Sequence, residues 1–108
     1  MFERKPPIRS TQEDIAELAE DIDRFVIHLG ERIDEIQDAE LADCVGEVSS
    51  LARRLATDAE RLGYPDMGQT AKAVAMAAED EKLEVMQENI FELTDLVQRV
   101  RRGHRGAA

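Results

Sequence analysis

The residues that most often carry enzyme chemistry are few in this chain, which has two histidines and one cysteine among 108 residues. His28 lies three residues before Glu31, so the two could share a helical face, but a zinc ion normally takes three or four ligands. Cys44 has no second cysteine with which to form a disulfide. The sequence contains no nucleophile elbow, no phosphate-binding glycine loop and no His-Glu-x-x-His motif. We therefore predict no catalytic residue, no metal site and no cofactor.

Net charge narrows the range of partners. The chain has 14 Lys and Arg against 24 Asp and Glu, a formal net charge of −10. Such a balance repels phosphate backbones and anionic lipid headgroups, which argues against nucleic-acid and membrane partners and favours proteins or cations. Residues 12–47 contain 13 of the acidic residues, against Arg24 and Arg32. We interpret this segment as a solvated outer face, and a docking surface for a basic partner is the alternative.

Apolar residues recur at steps of three and four along most of the chain, which predicts helices. A length of 108 residues suffices for one domain. The first predicted helix is long and begins after Ser10, which forms a capping box with Glu13. We expect a break in this helix near Gly30.

Turn and cap residues divide the rest of the chain into three further helices. Asp38 is the predicted cap of the second helix, which Gly63 ends. Pro65 begins a third, shorter helix because proline is tolerated in the first helical turn. Asp80 is the predicted cap of the fourth helix, which Gly103 ends. Connections of a few residues are typical of an antiparallel up-down bundle, so the predicted fold is an all-α four-helix bundle with a short third helix.

One face of each predicted helix should be buried in a shared core. We expect the bundle to occupy residues 11–102, with an N-terminal arm at 1–10 that is loose or only partly docked and a short tail at 103–108. His104 lies in this basic tail, which we expect to be disordered. The expected core residues are Leu18, Ile22, Phe25, Leu29, Val48, Leu51, Leu55, Leu62, Val74, Met86, Ile90, Leu93 and Val97.

The sequence predicts a cytoplasmic protein. No apolar run approaches the roughly 18 residues of a membrane span. Residues 1–9 are polar, contain two prolines and lack the apolar region of a signal peptide. The single cysteine is also in keeping with a reducing compartment.

The segment 51–67, with the sequence LARRLATDAERLGYPDM, resembles the signature of histidine-containing phosphotransfer (HPt) domains. That family has a His-x-Leu-Lys-Gly-x-Ala motif on its second long helix, followed by a Leu-Gly turn and the next helix. In an ungapped register the family's packing and turn positions are occupied by Leu55, Ala59, Leu62, Gly63 and Met67. The resemblance covers about residues 12–101 and implies a four-helix bundle with a short third helix.

The residues that carry the chemistry of the HPt motif differ in this chain. Arg53 stands at the position of the phosphorylated histidine, Ala56 at that of the lysine and Thr57 at that of the glycine beside the imidazole. Phosphoryl transfer needs a nitrogen with a free lone pair near neutral pH, whereas a guanidinium stays protonated. The resemblance therefore implies a phosphotransfer scaffold without its nucleophile.

On this resemblance, we expect a non-catalytic interaction module of two-component signalling. The family's usual partners are receiver domains, which have an acidic pocket, and the histidine kinases that feed them. We expect docking through an exposed face of the second predicted helix, where a guanidinium can pair bidentately with a carboxylate. The predicted partner-binding residues are Arg53, Arg54, Ala56, Thr57 and Glu60.

Two alternatives remain open. One is a small helical adaptor or homo-oligomerisation domain unrelated to phosphorelay. In that case the arginines of the second predicted helix form only local ion pairs, Arg53 with Glu60 or Asp58 with Arg61. The other alternative is a working phosphotransfer enzyme that uses one of the two histidines.

Overall fold

Five α-helices make up almost all of the secondary structure in the computed structural model, which describes residues 5–104. They are α1 (Ala19–Ile27), α2 (Leu29–Leu41), α3 (Val45–Arg61), α4 (Pro65–Glu79) and α5 (Leu83–Gly103), and a short 3-10 turn (Ala16–Leu18) precedes α1. No β-strand occurs among the described residues, so the predicted all-α class is confirmed for this part of the chain. None of the helices within residues 5–104 is long and apolar enough to cross a membrane.

Helices α2 to α5 pack against one another in cyclic order. α3 contacts α2 and α4, α4 contacts α5, and α5 returns to contact α2. The contact between α3 and α4 is the most extensive of the four, and that between α2 and α5 is the least extensive. α1 lies against α2 and α5. The edge between α3 and α4 and the edge between α2 and α5 are therefore on opposite sides of the molecule.

The core between these helices contains most of the residues predicted for it. The buried ones are Ile22, Phe25, Leu29, Val48, Leu55, Leu62, Val74, Met86, Ile90, Leu93 and Val97. Leu18 and Leu51 are only partly buried at its margin. Tyr64 was not predicted in the core, yet it is 2% exposed and its ring stacks on that of Phe25 with centroids 5.8 Å apart.

The first predicted helix is two helices in the structure. The chain leaves regular helical geometry at His28, where φ is −95° and ψ is 2°, so that α1 ends before it and α2 begins after it. The His28 amide donates to the carbonyl of Arg24, and its carbonyl accepts the amide of Arg32. The break thus lies at His28, two residues before Gly30. The apolar spacing continues across the bend, so the spacing alone could not locate it.

Ser10 does not cap a helix that begins directly after it, contrary to the prediction. Its hydroxyl donates to the carbonyl of Leu62 and accepts the amide of Gln12 at 2.9 Å. Regular structure begins later, at the 3-10 turn before α1. Ser10 is buried because it joins the start of the fold to the end of α3, a tertiary contact that a capping pattern does not reveal.

The boundary between α2 and α3 lies several residues later than predicted. Asp38 is inside α2, which continues to Leu41 because the buried Ala39 keeps it packed on the core. Leu41 and Cys44, which would fall on the core-facing side of a helix capped by Asp38, are both exposed, Leu41 by 82%. Asp80 likewise follows the last residue of α4 and does not start α5.

The three connections between α2 and α5, at 42–44, 62–64 and 80–82, have the same geometry. In each connection, the amide of the third residue donates to the carbonyl of the third-last residue of the preceding helix. The amide of the middle residue donates to the carbonyl of the second-last residue of that helix. This is the Schellman motif, whose middle residue takes a positive φ. That angle is 59° at Asp43, 88° at Gly63 and 55° at Glu81. Gly63 ends α3 and Pro65 starts α4, as predicted.

The described part of the predicted arm is docked along α5. The Ile8 amide donates to the carbonyl of Arg99 at 3.0 Å, and Nε of Arg99 donates to the carbonyl of Pro6 at 2.9 Å. A Cβ on Gly103 would collide with the backbone of Ile8, so glycine permits this close approach. Residues 5–10 therefore belong to the fold, and residues 1–4 of the predicted arm lie outside the described residues.

The start of the predicted tail is also part of the fold. Gly103 is the last residue of α5, and His104 follows it with a side chain only 12% exposed. His104 Nε2 lies 2.8 Å from Oδ1 of Asp23 on α1. The expected disorder of His104 is thus wrong, because a hydrogen-bond partner on another helix holds the ring in place. Residues 105–108 lie outside the described residues.

Candidate protein-interaction surface

Four of the five predicted partner-binding residues are exposed on α3. Arg53, Arg54, Thr57 and Glu60 are all accessible to solvent. Ala56 is 4% exposed and lies in the core cluster. Ala56 is therefore not available for contact with a partner, because this turn of α3 packs against the neighbouring helix.

Arg53 forms a bidentate ion pair with Glu79, the last residue of α4. Nε donates to Oε2 and Nη2 donates to Oε1, each at 2.6 Å. The Ser49 hydroxyl donates to the same Oε2 at 2.6 Å. These hydrogen bonds, with that from Arg53 the largest effect, lower the pKa of Glu79 to about 2, and the carboxylate in turn raises the pKa of Arg53. The guanidinium is thus held in a fixed orientation at the surface.

A second ion pair joins α3 and α4 two turns away. Lys72 Nζ lies 3.5 Å from Oε1 of Glu60. The Glu60 side chain runs over Gly68, where an added Cβ would lie 2.6 Å from Cγ of Glu60. Glycine at this position therefore lets the glutamate lie flat across α4 toward the lysine.

Between the two ion pairs the surface is less polar. Met76 lies one turn after Lys72 on α4 and is 52% exposed. On α3, Thr57 lies one turn after Arg53, and its hydroxyl donates to the Arg53 carbonyl at 3.1 Å. We call this surface the α3/α4 face and define it by Arg53, Thr57, Glu60, Lys72, Met76 and Glu79. It has a weakly polar centre flanked by charged pairs.

The ion pairs of α3 join different helices, which differs from the local pairing considered from the sequence. Asp58 pairs with Arg32 of α2 at 2.8 Å, and Arg61 with Asp21 of α1 at 3.4 Å. The Arg32 guanidinium also lies 5.7 Å from the centroid of the Phe25 ring. These pairs face away from the α3/α4 face and link α3 to the first two helices. Arg54, by contrast, forms no ion pair with any residue in the range 5–104.

Sequence reasoning missed Lys72, Met76 and Glu79, although the sequence contains a signal for them. On α3 a base, a neutral residue and an acid follow one another at positions i, i+4 and i+7, from Arg53 to Glu60. On α4 the same order recurs from Lys72 to Glu79. Because consecutive helices joined by a short turn run antiparallel, each base lies opposite an acid, and both pairs form.

The two histidines lie away from the α3/α4 face. His28 is at the bend between α1 and α2, with Nδ1 3.6 Å from Oε2 of Glu31. His104 pairs with Asp23 as described above. Within the part of the chain that the structure describes, no three potential metal ligands come together.

The α3/α4 face presents charged and hydroxyl groups with which a partner can be bound. Its charged groups are paired carboxylates and cations, and the Thr57 hydroxyl, which is hydrogen-bonded to the backbone, has no neighbouring histidine to activate it. Comparisons of the chain with protein-family models, with curated proteins and with solved structures give no match.

Proposed function

We propose that this chain is a non-catalytic, HPt-like interaction module of two-component signalling. It docks on a receiver domain or a histidine kinase through the α3/α4 face. The observation that carries the proposal is the Arg53 guanidinium, which is exposed at the position of the family's phosphorylated histidine and held rigidly by Glu79. A preorganised guanidinium can bind a partner carboxylate at a small cost in side-chain entropy.

The packing order of the helices supports the finer description of the fold that this proposal requires. α2, α3, α4 and α5 contact one another in a ring, as the helices of an up-down bundle do. In this interpretation the bent pair α1 and α2 corresponds to the family's first helix, and α4 to its shorter third helix. Leu55, Ala59 and Leu62, on which the resemblance rests, are at most 1% exposed.

The proposal explains why binding occurs without transfer. Glu79 raises the pKa of Arg53, so the guanidinium is even further from losing its proton than a free arginine. A protonated guanidinium has no lone pair with which to attack an acyl phosphate. Of the Arg53 nitrogens, Glu79 accepts only from Nε and Nη2, so Nη1 and the second hydrogen of Nη2 can donate to a carboxylate in the acidic pocket of a receiver while the Glu79 pair stays intact.

The first experiment captures partners and then measures affinity. Wild-type protein immobilised on beads is incubated with a lysate of its source cells, and retained receiver domains or kinases are identified by mass spectrometry. The purified partner is then titrated against wild type and Arg53→Glu. We expect the variant to bind at least tenfold more weakly, about 1.4 kcal/mol, because it presents a carboxylate to an acidic pocket.

A charge swap separates binding from stability. Arg53→Glu alone places two carboxylates together beside Ser49, whereas Arg53→Glu with Glu79→Arg restores an ion pair. We expect the double variant to regain the stability of the wild type but not its affinity, because the guanidinium now lies on α4. Full recovery of binding in the double variant would mean that the partner does not contact Arg53.

The matched control is Arg24→Glu on α1. Arg24 is exposed and pairs with Glu20 at 3.4 Å, so its reversal also converts an ion pair into two carboxylates. Arg32 is unsuitable for this purpose because it links α2 to Asp58 on α3. Equal weakening by Arg24→Glu and Arg53→Glu would show that net charge, and not the α3/α4 face, governs the interaction. Capture of neither a receiver nor a kinase would favour the adaptor alternative.

A labelling assay tests the proposed lack of transfer chemistry. The protein is incubated with phosphorylated receivers and with an active kinase, and acid-labile phosphate on the chain is measured. We expect none, because His28 and His104 both lie outside the α3/α4 face. Stoichiometric label on either histidine would contradict the proposal and support the phosphotransfer alternative.

A further inference from the structure

An apolar groove lies on the opposite side of the molecule, between α2 and α5. Leu41 near the end of α2 and Phe91 on α5 are each 82% exposed, more than any other large apolar side chain described. They line a cavity of about 640 Å³ whose walls include Gln37, Thr94 and the buried Ile90. We call this site the α2/α5 groove. Exposure of two such side chains beside an open cleft is a typical feature of an interaction site.

The floor of the groove is fixed by hydrogen bonds within and between the helices. Nε2 of Gln37 donates to Oγ1 of Thr94 at 3.1 Å, and the Thr94 hydroxyl donates to the carbonyl of Ile90 at 2.8 Å. The polar groups of the floor are therefore satisfied by the protein itself. What the site leaves unpartnered is apolar surface, which favours an apolar occupant.

The rim of the groove is acidic. Glu40 lines the cavity, and Asp38 lies three residues before Leu41 on α2. On α5, Glu84 and Glu88 lie seven and three residues before Phe91, on the same side of the helix. None of these acids forms an ion pair with another residue in the range 5–104. Of these four carboxylates, Glu40 lines the cavity itself, and the other three are exposed on the same two helices close to the apolar patch.

A fifth acidic residue at the groove is paired with two cations. Asp95, which also lines the cavity, pairs with Arg99 at 3.8 Å and with Lys5 at 3.9 Å. Both cations lie on the side of Asp95 away from the N-terminal end of α5. The carboxylates nearer the N-terminal end of α5 have no ion-pair partner among the described residues, so this end of the groove favours a cationic ligand.

We propose that the α2/α5 groove binds a basic amphipathic helix of another protein. An antiparallel pair of helices offers a groove into which a third helix can place apolar side chains at positions i, i+3 or i+4, and i+7. Lysine or arginine beside those positions meets the acidic rim. This site is independent of the α3/α4 face and lies on the opposite side of the molecule.

Charge disfavours a second copy of this chain as the occupant. A two-fold contact through the groove would bring the acidic side chains near the groove of one copy close to those of the other. The chain already carries a formal net charge of −10, so such a contact meets repulsion at every distance. A basic helix gains from the same field, which also steers its approach.

The binding test uses a designed probe. The probe is a fluorescent amphipathic peptide with leucine at every third or fourth position and lysine between, and the control peptide has glutamate in place of every lysine. We expect one lysine peptide to bind per chain, with little binding of the glutamate peptide. Phe91→Ala and Leu41→Ala should each weaken binding about tenfold, whereas Met76→Ala on the α3/α4 face should leave it unchanged.

A charge-matched pair of variants distinguishes the groove from general acidity. Glu84→Gln with Glu88→Gln removes two charges at the rim, and Asp14→Asn with Glu17→Gln removes two exposed charges before α1. Only the first pair should weaken binding of the lysine peptide strongly. Equal weakening by both pairs, or normal binding by Phe91→Ala, would overturn the proposal.

Self-association provides the remaining test. Sedimentation velocity of the wild type at increasing protein concentration should show a single monomeric species. A dimer that Phe91→Ala abolishes would assign the groove to a second copy and refute the basic-helix proposal. Because these measurements use neither receivers nor kinases, their outcome does not depend on the proposed signalling function.

Discussion

Replacing Glu81 with glycine should stabilise this protein. Glu81 is the middle residue of the turn between α4 and α5, where φ is 55°. An L-amino acid in this left-handed conformation costs about 1–2 kcal/mol, which glycine does not incur. Glycine loses more backbone freedom on folding, a cost of about 0.5–1 kcal/mol. The balance favours glycine by about 0.5–1 kcal/mol, and the melting temperature should rise by about 2–6 °C.

The equivalent turns calibrate this expectation. Asp43 has φ of 59° in the α2–α3 turn, and a short polar side chain tolerates this region better, so Asp43→Gly should gain less than Glu81→Gly. Gly63→Ala should destabilise, because φ is 88° and a Cβ there would also meet Ser10 and lie 2.8 Å from the Gln12 amide. Relative to the wild type, we therefore expect the largest gain in stability for Glu81→Gly, a smaller gain for Asp43→Gly and a loss for Gly63→Ala.

The assay is urea unfolding followed by far-ultraviolet circular dichroism, with thermal unfolding as a second measurement. Glu81→Gln is the control, because it removes the charge but keeps a side chain of nearly the same size. It separates the effect of backbone strain from the effect of a carboxylate between two helix ends. We expect Glu81→Gln to match the wild type. If Glu81→Gln stabilises as much as Glu81→Gly, or Glu81→Gly destabilises, then strain at this turn does not limit stability.

Three further predictions concern the core and the titration of single groups. Leu55→Ala should cost about 2–5 kcal/mol of unfolding free energy because Leu55 is fully buried, whereas Leu41→Ala should cost under about 0.5 kcal/mol; equal losses would contradict the observed burial. Tyr64 is the only tyrosine, so ultraviolet absorbance should report its ionisation near pH 12, because burial and then Glu13 raise its pKa. The stability that Tyr64 contributes should be constant below about pH 10 and decline as the pH rises through 12; a midpoint near 10 in the folded protein would show that the ring is accessible. Glu79, whose pKa is lowered to about 2, should contribute stability above pH 4.5 that is lost as the pH falls toward 2, and Glu79→Gln should flatten unfolding free energy over that range.

The apolar spacing predicted the core well because it depends on which face of each helix is buried. A helical face stays in phase across a bend, so Phe25 and Leu29 are both buried although His28 separates α1 from α2. For the same reason the spacing could not locate the bend. The boundary of a helix depends on the backbone conformation of a single residue. Of the three turns with a positive φ, only the one at Gly63 has a residue type that indicates this angle in the sequence.

The turns at Asp43 and Glu81 show why the other two boundaries were misplaced. Acidic residues are common at the start of helices, so Asp38 and Asp80 were predicted as caps of the helices that follow. In the structure Asp38 lies within α2 and Asp80 is the first residue after α4, and each turn that follows has an acid in the left-handed conformation. A positive φ at a residue other than glycine cannot be recognised from a single sequence.

The residues of the α3/α4 face were predictable only in part. Exposure of Arg53 and Thr57 follows from the apolar phase of α3, because Leu55 and Ala59 define the opposite side. The partner of Arg53 does not follow from α3 alone, since Glu79 lies on another helix. Local pairing rules therefore suggested Glu60, although the antiparallel arrangement offered a closer acid.

The ring of helices is closed at the edge between α3 and α4 and open at the edge between α2 and α5, because side chains of different sizes pack at the two edges. Where α3 meets α4, the buried residues include many that are small, namely Ala52, Ala56, Ala59, Gly68, Ala71, Ala75 and Ala78. Small residues let two helices approach closely, so side chains such as Arg53 and Glu60 reach across the seam to the opposite helix.

Between α2 and α5, the buried residues are larger than those between α3 and α4. Ile33 and Ile36 of α2 face a core shared with Ile90, Leu93 and Val97 of α5. Bulky side chains widen the spacing of packed helices, which is consistent with the less extensive contact here and with the cleft of about 640 Å³ above Ile90. Substituting alanine for a large residue at this seam should narrow the groove, whereas enlarging an alanine at the α3–α4 seam should separate Arg53 from Glu79. The distribution of residue sizes along the helices thus determines the form of both surfaces through which we propose that the protein binds its partners.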